Sequence, residues 1–598
     1  MRTPPIRRHA LRLALAALLG TFAVATGASP AAAAVTPVPG DPLTGSGAVS
    51  RTLLTKAELT GGTATSTIAD SAFALPAAAA MPLHTFSGRL ELTGEATGGG
   101  FTELEDDFAY TNAGDSPRKH LPEISLEFVQ NGSHLIPVEQ GLRITGNAVW
   151  NLLVSPGRAW SETGDGGWSR ASVPFALVQR NANCVHNATM TFLFNATSVS
   201  QVRYQVTQET CLYFKFDLWG QLPATYTPYP VAGAEAVRNA HAAEVAGRLP
   251  TKPIAALAAD HPSAGLDLAA FGSGVTPAHM SAYGLLHDGV NYVSGCSTRQ
   301  GTYPFCEVMR LPSYSTAKSA MAGTALMRLT QTHGTGVSGQ LIRDWVPEHA
   351  SATGRWAGVT INHTLDMATG NYRFATYMTD EGGAIVSDFL SAEPYATKID
   401  LAFDFPSRVA PGTKWVYHTT GTFIATRAMR NYLGSDLFDE LRDGVYVPAK
   451  LSRGALTSLR TGNSATGQAF GGYGLFYNRD DIAKLAKLYN NDGGVAGGVQ
   501  VLHPGLLGAT MQKDPADRGI ATTSAAGFRY NNGFWAKQLT PAEFPQYDCS
   551  FWVPFMSGYG GITVAMLPNG ATYYYFSDND EFSWYAAVHE AGKLAPYC

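Results

Sequence analysis

Apolar positions between residues 35 and 229 come in short alternating or clustered runs separated by Gly, Asn and Asp. Arg89–Leu92, Ile124–Phe128, Met190–Phe194 and Leu212–Phe216 are of this kind and predict strands of an all-β, sandwich-like N-terminal domain. The pattern changes near Pro223–Pro230. Ala234 to Arg248 predicts an Ala-rich helix ended by Leu249-Pro250, and Tyr283–Leu286 with Val290–Val293 predicts a hairpin turning at Asp288-Gly289. Ala317, Ala320, Met321, Thr324, Ala325 and Leu329 then trace the stripe of a buried helix. Further on, Thr360–Met367 runs into a turn at Gly370, and Asn371 to Arg408 is a long mixed stretch of the kind that forms a substrate-facing lid. A helix to about Leu433 and an amphipathic helix over Asp480–Leu488 follow. Two strands, Gly561–Met566 and Ala571–Phe576, joined by Pro568-Asn569-Gly570, precede a final helix from Glu581 to about Leu594.

The chain, at 598 residues, is too long for one core, so the pattern divides into a β-rich part over 35–229 and a mixed part over 230–598. Hydrophobic residues at 45% and charged residues at 15% describe a globular protein. A net charge of −5 without a long basic run argues against nucleic acid as a partner. Residues 1–34 read as an export signal: Arg2, Arg7, Arg8 and Arg12 lead into the apolar run Leu13–Ala25, which ends in small residues. Arg7-Arg8 also fits a twin-arginine signal. No later stretch is long and apolar enough for a membrane anchor, so a secreted or periplasmic product is expected.

Six cysteines in an exported chain imply oxidation, and their positions favour the local pairs Cys184–Cys211, Cys296–Cys306 and Cys549–Cys598 among fifteen connectivities. With no Cys-x-x-Cys and no His-Glu-x-x-His, neither a metal nor another cofactor is expected. Trp150, Trp160, Trp168 and Trp219 could form a carbohydrate platform or, more simply, fill a core.

The candidate chemistry begins at Ser315-Thr316-Ala317-Lys318, where a Pro- and Ser-rich loop turns into the helix. Three residues is nearly one helical turn, so a Lys318 amine stands beside a Ser315 hydroxyl and can take its proton. Exposed N–H groups at a helix start favour negative charge there. The same spacing recurs at Ser116-Pro117-Arg118-Lys119, but no apolar helix follows, which marks a solvated turn.

Taken in order, the hairpin, Ser315-x-x-Lys318, Pro411-Gly412 with Tyr417-His418-Thr419, Gly471-Gly472 leading to Asp480-Asp481, and Gly558-Tyr559-Gly560-Gly561 resemble the serine β-lactamase and penicillin-binding-protein superfamily. Within it the likeness is to the class C and esterase branch, including 6-aminohexanoate-dimer hydrolases, over about 281–598. The resemblance implies an α+β domain with an antiparallel sheet flanked by helices and an all-helical region. It implies acyl transfer with Ser315 as nucleophile, Lys318 and Tyr417 sharing its proton, and the backbone N–H groups of Ser315 and Gly561, or Ile562, holding the oxyanion. Thr419, Tyr559 and Gly560 would line the substrate.

Two departures stand out. Thr419 occupies the position of the family's asparagine, and the glycine motif lacks the cation that holds a substrate carboxylate. A neutral ester, amide or peptide is therefore the expected substrate. A cell-wall D,D-peptidase or β-lactamase and a catalytically silent binding relative are the alternatives. Ser577-Asp578-Asn579 spells another family motif but follows the glycines, and so reads as a strand end, while the absence of Gly-x-Ser-x-Gly argues against an α/β-hydrolase.

Overall fold

Two sheets organise the chain, antiparallel except where the edge strand Thr251–Pro253 runs parallel to Val290–Val293 in the second, and a block of helices lies between the parts of the second in sequence. The computed structural model describes residues 36–112, 114 and 116–598, except for the side chains of 350–353. The expected export signal over 1–34 lies outside the described residues.

The first sheet has eleven strands between Ser87 and Pro228. Its longest members are β1 (Ser169–Gln179), β2 (Val185–Phe194), β3 (Val202–Thr210) and β4 (Phe214–Leu222), paired in that order. The region is all-β as expected, but ten of its strands follow one curled hydrogen-bonded path, with Trp150–Val154 pairing with β1 off that path, instead of separating into two facing sheets. Every residue of β1, β2 and β3 is buried, so both faces of these strands are covered. Phe86, Phe128, Phe192, Phe194 and Tyr226 pack together on one side. On the other lies the segment leading to the candidate nucleophile: the Tyr303 hydroxyl donates to Ala188 O at 2.9 Å and the Asn187 amide to Arg310 O at 2.9 Å. A partner layer of a sandwich is thus replaced by the second half of the chain, and one apolar cluster runs from Phe86 through Tyr314 to Tyr489 without a break. Of the four tryptophans of this region, Trp150 and Trp160 are fully buried in the core, while Trp168 and Trp219 are half-buried.

The second sheet has nine strands. The predicted hairpin is present as β5 (Met280–His287) and β6 (Val290–Val293), with Asp288 and Gly289 at positive φ in its turn. Near the C-terminus, β7 (Phe551–Gly558), β8 (Ile562–Met566) and β9 (Thr572–Ser577) form a meander, and β9 pairs with β5. Ser577 is the last residue of β9, so Ser577-Asp578-Asn579 is a strand end as expected.

The helices include α1 (Ala234–Ala246), α2 (Thr324–His333), α3 (Thr419–Leu433), α4 (Arg479–Asn490) and a terminal helix, Tyr585–Gly592, which begins four residues later than the sequence pattern predicts. All three expected disulfides are present. Among the described residues no helix is long and apolar enough to cross a membrane.

Candidate active site

Ser315 follows the short strand Leu311–Pro312 and precedes a π-helical segment, Lys318–Gly323, that runs into α2. The N–H groups of Thr316, Ala317 and Lys318 bond back to the carbonyls of Ser313, Tyr314 and Ser315 at 3.0–3.1 Å. The segment is therefore a tight turn whose first donors are used locally, unlike the open helix start expected from the spacing. Ser315 is half-buried and Lys318 is 1% exposed.

The Lys318 amine lies 2.8 Å from Ser315 Oγ, 2.8 Å from Thr419 Oγ1 and 3.4 Å from Gly472 O. Three acceptors for three protons saturate the ammonium form. Burial nonetheless pulls the Lys318 amine down from an ordinary 10.5 to about 8, with Glu381 pulling in the opposite direction. By that value about a tenth of the amine is neutral at pH 7, against about one part in three thousand for an ordinary lysine. The amine also lies 4.9 Å from the centre of the Tyr417 ring.

Tyr417 is buried, and its hydroxyl interacts with Ser315. Burial holds that phenol well above its ordinary range, and the nearby Tyr530 and Glu381 push the same way. Its ring stacks on Trp535 at 5.9 Å, within a cluster that includes Trp415 and Tyr530. Tyr377, from the stretch expected to form a lid, covers this cluster: its ring is 5.8 Å from Trp415 and 6.5 Å from Tyr417.

Thr419 opens α3, and the residue before it, His418, provides no side-chain cap. Glu381 takes that place, accepting from the Thr419 N–H at 2.8 Å and from the Thr419 hydroxyl. Next to it, Asp380 accepts from His418 at 2.9 Å, so Asp380-Glu381 fastens the lid stretch to the start of α3.

Gly558, Tyr559, Gly560 and Gly561 form the turn between β7 and β8. A Cβ at Gly558 would stand 2.9 Å from Ser313 O, so the absence of a side chain allows the strand end to approach the nucleophile turn. Tyr559, 42% exposed, meets Tyr314 edge-on at 5.7 Å. Gly560 and Gly561 are held from the opposite side: Ser577 Oγ bonds both carbonyls, and the Gly560 N–H donates to Asp580.

The structure thus gathers Ser315, Lys318, Tyr417 and Thr419 and brings Gly558 and Tyr559 against the same turn. Ser116-x-x-Lys119 is remote in role: Ser116 accepts from the Arg118 N–H in a short turn. Sequence reasoning missed Glu381 and the Gly472 carbonyl. Glu381 had no periodic or motif signal beyond lying in the lid stretch. Among the described residues one cluster, Cys184, His186 and Cys211, has the spacing of metal ligands, and its two cysteines are bonded to each other.

No family model and no curated protein matches the chain. Solved structures do match about half of it. A protein assigned as a 6-aminohexanoate-dimer hydrolase from Bacillus anthracis is 15% identical, with a TM-score of 0.40, over 53% of this chain and 78% of that one. A penicillin-binding protein from Bacillus halodurans is 15% identical, with a TM-score of 0.38, over 52% and 95%. A mutant class C β-lactamase is 13% identical, with a TM-score of 0.36, over 52% and 90%.

Proposed function

We propose that the protein is an exported serine hydrolase that cleaves a neutral ester or amide through an acyl-enzyme, with residues 230–598 carrying the reacting groups. The observation that carries this reading is the Lys318 amine, buried, 2.8 Å from Ser315 Oγ and held near 8. In its neutral form the amine accepts the Ser315 proton as Oγ attacks the carbonyl carbon. The C–O or C–N bond to the leaving group then breaks, and the leaving group takes a proton passed from Lys318 through the Tyr417 hydroxyl. Tyr417 acts as a neutral relay, because its raised pKa disfavours a phenolate. Water, deprotonated along the same path, releases the acyl group and restores the Ser315 hydroxyl. The N–H groups of Ser315 and Gly561, or Ile562, are assigned to the oxyanion, about 3 kcal/mol per donor.

Two further observations support the details. The charges acting on Tyr559 are the carboxylates of Asp580, Asp107 and Glu105, surroundings that repel a carboxylate substrate. This favours an ester or amide over the D-Ala-D-Ala and β-lactam chemistry of the alternative reading. Three disulfides favour an oxidising compartment outside the cytoplasm.

Incubation with a fluorophosphonate, followed by peptide mapping, is expected to give a single adduct on Ser315, absent in Ser315→Ala. Turnover of p-nitrophenyl acetate by Ser315→Ala at the parent rate overturns the assignment.

A further inference from the structure

The residue before the candidate nucleophile is strained. Tyr314 has φ 40, a left-handed backbone that costs a non-glycine residue about 1–2 kcal/mol, so its surroundings must hold it there. The restraint comes from the first sheet. The tip of the β1–β2 hairpin, residues 180–184, is wedged into the second half of the chain: Arg180 pairs with Glu393 at 2.8 Å, and the Asn181 amide donates to Leu390 O at 2.8 Å. Asn183 reaches furthest. Its Oδ1 accepts from the Tyr314 N–H at 2.8 Å, the Gly474 N–H at 2.8 Å and the Ser313 hydroxyl at 2.9 Å, and its Nδ2 donates to Leu475 O at 3.3 Å. The neighbouring Cys184 Sγ lies 3.1 Å from the Tyr314 hydroxyl, so the hairpin grips Tyr314 at both ends.

One buried amide therefore ties together two segments that the chemistry requires in register. Residues 313–314 set the direction in which Ser315 leaves the turn, and residues 472–475 carry the Gly472 carbonyl that seats the Lys318 amine. The Asn183 side chain is 1% exposed, and all its bonds go to these segments. The side chain matches this task because one short planar group presents both an acceptor and a donor without a charge. A fixed distance between Oγ and amine is what proton transfer depends on, and a displacement of about 1 Å costs on the order of a hundredfold in rate.

We propose that Asn183 is a positioning residue for acyl transfer, so that the N-terminal β-sheet completes the active site. The proposal rests on the Ser315–Lys318 reading above.

The test compares full-length parent, Asn183→Gln, Asn183→Leu, Arg180→Ala and Ser315→Ala by the rate of fluorophosphonate labelling at Ser315 across pH 6–10, with thermal unfolding measured in parallel. Asn183→Gln keeps the amide and moves it by one methylene. It is expected to stay folded, to label roughly a hundredfold more slowly, and to show its rise in rate at higher pH than the parent, because a loosened Gly472 seat admits water to Lys318. Asn183→Leu is expected to label at least as slowly, and Arg180→Ala, at the same hairpin tip, within twofold of the parent. A purely structural contact would lower the unfolding temperature without moving the pH profile. Asn183→Gln labelling within threefold of the parent, with the parent's pH profile, overturns the proposal even if Asn183→Leu fails to fold. An unlabelled parent, or labelling that persists in Ser315→Ala, sinks the acyl-transfer reading and this proposal together; a silent Ser315→Ala beside a parent-like Asn183→Gln sinks the positioning role alone.

Discussion

Glu381 grips Thr419 at two points, its backbone N–H and its hydroxyl, while the same hydroxyl accepts from the Lys318 amine. A carboxylate from an irregular loop is thereby linked through one side chain to the proposed base. The arrangement opposes burial: desolvation lowers the Lys318 pKa, and the Glu381 charge keeps it from falling further.

Removing that charge has a definite sign. In Glu381→Gln the amide oxygen still accepts from Thr419, but the negative charge that favours the ammonium is gone. The neutral fraction of Lys318 at a given pH then rises, so the ascending limb of the acylation rate, centred near pH 8 in the parent, moves to lower pH. Labelling rates measured across pH 6–10 check this. A limb that stays in place or moves upward contradicts the electrostatic role of Glu381.

Thr419→Val keeps the shape of the side chain and removes the hydroxyl. Lys318 loses an acceptor and Glu381 a donor in a site that is 4% exposed at Thr419. A stability loss of about 1–3 kcal/mol is expected from the unpaired groups, together with a fall in kcat on the order of tenfold or more. Thr419→Ser should recover most of both, as read by denaturant unfolding and ester hydrolysis.

Gly558→Ala tests the close approach of β7 to the nucleophile turn. The new methyl would stand 2.9 Å from Ser313 O and 3.2 Å from Ile562 Cβ, so the strand end must shift. A cost of about 1–3 kcal/mol is expected from such overpacking, with kcat falling more than KM rises because the displaced group borders the reacting atoms. Steady-state kinetics alongside thermal unfolding separate the two effects.

The Cys184–Cys211 bond joins the residue before β2 to the residue after β3, 27 positions apart, and so closes the β2–β3 hairpin at its open end. Replacing both cysteines by serine should cost roughly 3–4 kcal/mol through the freedom returned to the unfolded chain. It should also slow Ser315 labelling, since Cys184 packs against the Tyr314 hydroxyl. Unfolding in denaturant with and without a reductant, parent against variant, measures the first effect.

Ser315, Lys318 and Tyr417 were legible because local spacing and motif order reported them, and the structure brings these three together. The hairpin around Asp288-Gly289 and the stripe from Ala317 to Leu329 were legible for the same reason, since a turn and a helical period are written within a few residues. Glu381 was not, because its partner is 38 positions away and its own neighbourhood has no period. Asn183 sat beside a cysteine in a region with no visible chemistry, and its partners lie 130 positions and more downstream. The single path of the first sheet was hidden likewise: alternation identifies a strand's faces but not which neighbour covers them, and here one face is covered by the chain around Tyr303 and Arg310.

The pairing of β5 with β9 joins Met280 to Ser577 and Leu286 to Thr572. During synthesis from the N-terminus, the first sheet and the Ser315 turn leave the ribosome long before β9 exists. A chain cut short before Thr572 would present Ser315 and Lys318 without the strand that pairs with β5, leaving β5 with an unpaired edge open to other chains. Nascent and truncated forms that lack β9 therefore expose a strand edge that favours aggregation.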